Sequence, residues 1–172
     1  MPFTPLHLGF GTIIKAILPN SFSFSAFALT QIIIDVESLY NLLNRKWPVH
    51  AFLHTYVGAS IVALLVILFC WLLLNPLLRF WNNLHKRKEG SRLYFGERIS
   101  LISLVIGSFF GAYSHVFLDS IMHSDIRPLA PYSDSNILYH IISVPILHMW
   151  CILALSGGVW MLHLILIGKY KA

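Results

Sequence analysis

The sequence predicts an all-α fold: a polytopic membrane bundle of four to five transmembrane or re-entrant helices. Three observations predict it. Of 172 residues, 57% are hydrophobic and 11% charged, where a soluble domain carries roughly 25% charged residues. Several apolar runs reach or exceed the roughly 20 residues that cross a bilayer. Six of the twelve basic residues lie between Arg79 and Arg98, in a segment flanked by two of those runs. A basic segment placed in this way is read as a cytoplasmic loop under the positive-inside rule. The formal net charge of +5 therefore reflects membrane topology, and no nucleic-acid partner is expected. Residues 1–172 read as a single integral membrane domain with a cytoplasmic basic loop over 79–98.

Five elements follow in order. Leu6–Leu18 is short, closed by Pro19-Asn20, and either dips into the membrane or crosses it tilted. Ser21–Leu43 is apolar but contains Asp35 and Glu37. Thr55–Leu78 is free of charge and long enough to span. Ile99–Met122 is the next span, and Pro145–Ile167 the last, opening on a proline that suits a helix N-terminus. With the basic loop inside, the helix ends carrying His7, Asp35, Glu37, His50, His54, His115, Asp119 and His123 all fall toward the extracytoplasmic face. Trp47, Tyr56, Tyr132 and Tyr139 fit an outer aromatic belt, and Trp81, Tyr94 and Tyr170 an inner one. The chain opens Met1-Pro2-Phe3-Thr4-Pro5 with no basic n-region, so no cleavable signal peptide is expected. Cys70 and Cys151 sit within apolar runs and read as packing residues.

The chemistry concentrates at Ser114-His115-Val-Phe-Leu-Asp119. Ile99 to Leu118 holds no Asp, Glu, Lys or Arg. Ionisable groups in such a setting are costly and mark functional sites. At i and i+4 on a helix, His115 and Asp119 share one face and can share a ligand. His50-Ala-Phe-Leu-His54 reads as a second i,i+4 pair. Imidazole and carboxylate together suit Zn²⁺, Mn²⁺ or iron, and helical bundles build metal sites from facing helices in this way. The bland alternative is that His50 caps a helix and His115 merely neutralises Asp119. Asp35 and Glu37 point about 200° apart on a regular helix, so both serve one site only if that helix unwinds. His140 and His148 stay open as further members. A serine nucleophile from Ser114, Ser120 or Ser124 lacks the Gly-x-Ser-x-Gly context. Arg127, leaving the helix before Pro128 and Pro131, can orient a phosphate or carboxylate or simply snorkel.

Gly111-Ala-Tyr-Ser-His115-Val-Phe-Leu-Asp119, followed by Pro128-Leu-Ala-Pro131-Tyr-Ser133, resembles the signature of the YdjM-like family. These are LexA-binding, inner-membrane-associated proteins described as metal-dependent hydrolases. Leu6-His7-Leu-Gly9, Ile34-Asp35-Val-Glu37 and His50-Ala-Phe-Leu-His54-Thr55 resemble its upstream motifs. The resemblance implies a multi-pass protein of the inner (plasma) membrane with one or two divalent ions, zinc foremost. It implies His7, Asp35, His54, His115 and Asp119 as metal ligands, with Glu37 as general base. His50, His123 and Arg127 would contact a lipid or lipid-linked ester or phosphoester. Two rivals stay open. One is a non-catalytic membrane protein that binds or conducts metal ions or protons. The other is an adaptor acting through the basic loop.

Overall fold

The computed structural model describes residues 5–84 and 99–171, and of 168–171 the backbone only. Most of the basic loop, from His85 through Arg98, lies outside the described residues, as do the side chains of Lys169, Tyr170 and Lys171. All regular secondary structure among the described residues is helical. A 3-10 turn at Pro5–His7 leads into α1 (Leu8–Ile17), then α2 (Phe24–Leu43). A second 3-10 turn at Phe52–His54 precedes α3 (Tyr56–Phe69). A π-helical turn, Cys70–Leu74, joins α3 to α4 (Asn75–Leu84) as one rod of 29 residues. The last two are α5 (Leu101–Met122) and α6 (Val144–Lys171).

Local sequence sets the helix starts. Ser23, Thr55 and Ser100 are N-caps whose side-chain oxygens accept from the N–H of Ala26, Gly58 and Ser103. Each satisfies one of the orphan donors of a first turn. Four helices are long and apolar enough to cross a membrane: Phe24–Leu43, Tyr56–Leu84, Leu101–Met122 and Val144–Ile167. The short first element runs the height of α5: His7 lies 3.5 Å from Asp119 near the end of α5, and the Ser23 N–H just after the element donates to the Ser103 carbonyl near its start. Its ten α-helical residues reach about 15 Å, and the turns on either side supply the rest of the path. The helix packs along α6 through Gly9, Thr12 and Gly158. Lys15 closes its end by donating to the carbonyls of Pro19 and Phe22.

Small residues let the helices approach. The shared core holds Ala26, Ala59, Ala63 and Ala112 beside Ile34, Val62, Val66 and Val116. On α5, Gly107 and Gly111 lie four apart and face α2. A Cβ on Gly107 would strike the Ser23 carbonyl oxygen, and one on Gly111 would stand 2.6 Å from that of Phe27. Apolar burial gives little drive between helices in lipid, so backbone approach of this small-x-x-x-small kind supplies it. The contact also fixes the register of α2 against α5, and so the height of Asp35 against His115. By contrast, Gly157 on α6 has open space where its Cβ would go. Gly157→Ala is expected to be neutral or to raise the melting temperature slightly, since Ala is favoured over Gly in a helix by about 1 kcal/mol. A lowered melting temperature would mean that α6 is crowded there.

Candidate metal centre

Four segments bring ionisable side chains to one end of the bundle. α2 supplies Asp35 from its C-terminal half, and the 3-10 turn before α3 supplies His54. α5 supplies His115 and Asp119 from its last two turns, and the first 3-10 turn supplies His7. All five are buried. Asp35, His54, His115 and Asp119 each offer a ligand atom, and these atoms lie within 4.8 Å of one another.

The spacings decide what the cluster can do. His115 Nε2 stands 3.3 Å from Asp119 Oδ2 and 3.4 Å from Asp35 Oδ1. His54 Nε2 stands 3.5 Å from Asp119 Oδ2 and 3.9 Å from Asp35 Oδ1. Hydrogen bonds of this type run about 2.7–3.2 Å. Donors around a tetrahedral zinc, bonded at about 2.0–2.1 Å, stand about 3.3–3.4 Å apart. Both ring nitrogens of His7, His54 and His115 are buried without a hydrogen-bond partner. An unsatisfied buried polar group ordinarily costs about 1–3 kcal/mol, so three such imidazoles beside two carboxylates call for a shared partner. The four residues could hold a metal ion.

His7 adjoins this group. Its Nε2 is 3.5 Å from the other oxygen of Asp119, Oδ1, and its ring meets that of His115 edge-on at 5.3 Å. Glu37 stands behind the cluster. Its Oε2 accepts the Leu53 N–H at 2.7 Å and lies 3.6 Å from His54 Nδ1. Asp35 and Glu37 approach opposite nitrogens of the same imidazole, at 3.9 and 3.6 Å, while α2 stays helical throughout, so both reach one site without the unwinding expected from their separation of about 200°. The His54 ring fills the space between the two directions.

His50 and His54 do not form a helical pair. His50 lies in a bend and His54 ends a 3-10 turn, so the expected i,i+4 geometry is replaced by a chain reversal. That reversal turns His50 toward α5's exit. Its Nδ1 sits 3.0 and 3.1 Å from the two oxygens of Asp125, and the ring of His123 stacks on it at 4.1 Å. Asp125 Oδ2 also accepts the N–H groups of Val49 and His50. Burial, and then the nearby His54, push the His50 imidazole below its ordinary value. Burial and then His50 bring His123 down to about 4. Burial would raise Asp125, but the bonds from His50 outweigh it and hold the carboxyl below its usual range. Two neutral imidazoles therefore flank an ionised carboxylate at neutral pH.

Arg127 donates to Asp134 Oδ1 at 3.0 Å, and both side chains are exposed. His140 adopts a left-handed φ of 60° and packs its ring on Tyr139, outside the cluster. Asp125 went unassigned in the sequence. The His-x-Asp spacing of His123 and Asp125, just past a helix end, was the available signal.

A family model described as "Domain of unknown function (DUF4184)" matches residues 1–169. The chain belongs to the DUF4184 family. This match names no activity, and it does not extend to the YdjM-like resemblance of the individual motifs. No curated protein and no solved structure matches the chain.

Proposed function

We propose that this protein is a membrane-embedded, metal-dependent hydrolase of a lipid or lipid-linked ester or phosphoester. The observation that carries the reading is the set of buried, hydrogen-bond-orphaned imidazoles at ligand spacing from Asp35 and Asp119. Nitrogen and carboxylate donors with no thiolate suit zinc. When bound, a divalent ion lowers the pKa of a coordinated water toward about 7 and polarises the scissile group.

The chain's own residues then have distinct tasks. Asp35, His54, His115 and Asp119 would hold the ion, and a coordinated water then needs a fifth position, to which catalytic zinc can expand. His7 braces the outer oxygen of Asp119. Glu37, with Oε2 3.6 Å from His54 Nδ1, is near enough to orient that ligand on a small closure and remains the general base. With the basic 79–98 segment read as cytoplasmic, the centre would face the extracytoplasmic side of the inner membrane. Beside His50 opens a cavity of about 370 Å³, with Phe52, Pro131 and Arg127 in its wall. The wall also holds the Asp125 carboxylate and His50, and an amphiphile's anionic group would reach Arg127 only by displacing Asp134 from it.

Two measurements test this. The purified protein is assayed against ester and phosphoester lipids before and after chelation and zinc return. Hydrolysis should vanish on chelation and recover with zinc. Metal bound without hydrolysis of either class would favour the non-catalytic metal-binding protein. Glu37→Gln should weaken zinc affinity by about 10–100-fold in a chelator competition, with helical content unchanged. An unaltered affinity would reduce Glu37 to an interfacial carboxylate.

A further inference from the structure

We infer that His50, His123 and Asp125 form a second divalent-cation site, beside the buried four and separate from them. Their ligand atoms also lie within 4.8 Å of one another. They come from two segments distant in sequence: the turn after α2 and the exit of α5. Asp125 is anchored by two backbone N–H groups, from Val49 at 2.9 Å and His50 at 3.0 Å. Its carboxylate is thus fixed before any ligand arrives. The His123 ring stacks on His50 at 4.1 Å, tilted 27°; lone pairs lie in the ring planes, so His123 must turn out of this stack to share an ion with His50 and Asp125.

The site has an approach. A cavity of about 470 Å³ borders His50, His123 and Asp125, with Trp47 and Tyr139 at its edge. Three protein ligands with open space beside them leave room for water or a substrate oxygen, as a working site requires and a closed structural one does not. In the metal-free protein one proton joins His50 Nδ1 to Asp125, and the cation replaces that proton on binding. The His50 ring is 4.8 Å from that of His54, so the outer group adjoins a ligand of the inner one.

The test is zinc stoichiometry on the full chain in detergent, stripped, reloaded with Zn²⁺, desalted and analysed for metal. Wild type should retain about two ions per chain. His123→Ala should retain about one, and His115→Ala should lose the other. Asp125→Asn keeps an acceptor for the two backbone N–H groups and should also retain about one, which guards against a folding defect in His123→Ala. One ion in wild type, kept by His123→Ala and lost by His115→Ala, would overturn the outer site and leave the buried centre standing. One ion lost by His123→Ala and kept by His115→Ala would support the outer site and remove the inner. No retained zinc in wild type would overturn both.

Discussion

Asp119→Ala is expected to strip the protein of its inner metal and abolish turnover. Asp119 faces all three histidines of the cluster. One oxygen faces His54 at 3.5 Å and His115 at 3.3 Å, and the other faces His7 at 3.5 Å. Removing an outer partner of a metal ligand costs about 10–100-fold in affinity. Loss of this direct ligand should exceed that range, and activity should fall with it. The three histidines lose their common carboxylate in a place water does not reach freely. Metal analysis and lipid hydrolysis, with circular dichroism to confirm the helices, check the result. Retained metal at wild-type affinity would show that Asp119 serves only to balance charge.

Gly111→Leu is expected to act on the same centre from a distance. Its Cβ would meet the backbone oxygen of Phe27 at 2.6 Å, and backbone cannot rotate away as a side chain can. α2 must shift relative to α5. Overpacking of this kind costs about 1–3 kcal/mol. The shift also moves Asp35, on α2, away from His115, on α5, which now sit 3.4 Å apart. A lowered melting temperature together with weakened zinc binding is predicted. Lost stability with intact zinc binding would mean that helix register and the metal centre are uncoupled.

Much of this molecule could be read from the chain. Apolar length fixes α2, the α3–α4 rod, α5 and α6, because lipid requires each span to satisfy its own backbone. The His115/Asp119 pair was legible because both lie on one regular helix, where spacing dictates direction. His50 and His54 were less so. A chain reversal and a 3-10 turn separate them, and neither has a period that reveals facing. The split service of Asp35 and Glu37 was hidden for another reason: it depends on His54 entering between them from a different segment. Asp125 escaped notice because its role comes from backbone N–H groups about 75 residues earlier, which no local pattern reports. The π-helical turn at Cys70–Leu74 likewise left no mark in an apolar run.

X-ray absorption at the metal edge of the purified protein tests the central claim most directly. A first shell of nitrogen and oxygen alone at about 2.0–2.2 Å, with imidazole scattering that diminishes in His115→Ala, is the predicted result. A shell containing sulfur, or one of oxygen only with no imidazole, would contradict a centre built from His54, His115, Asp35 and Asp119.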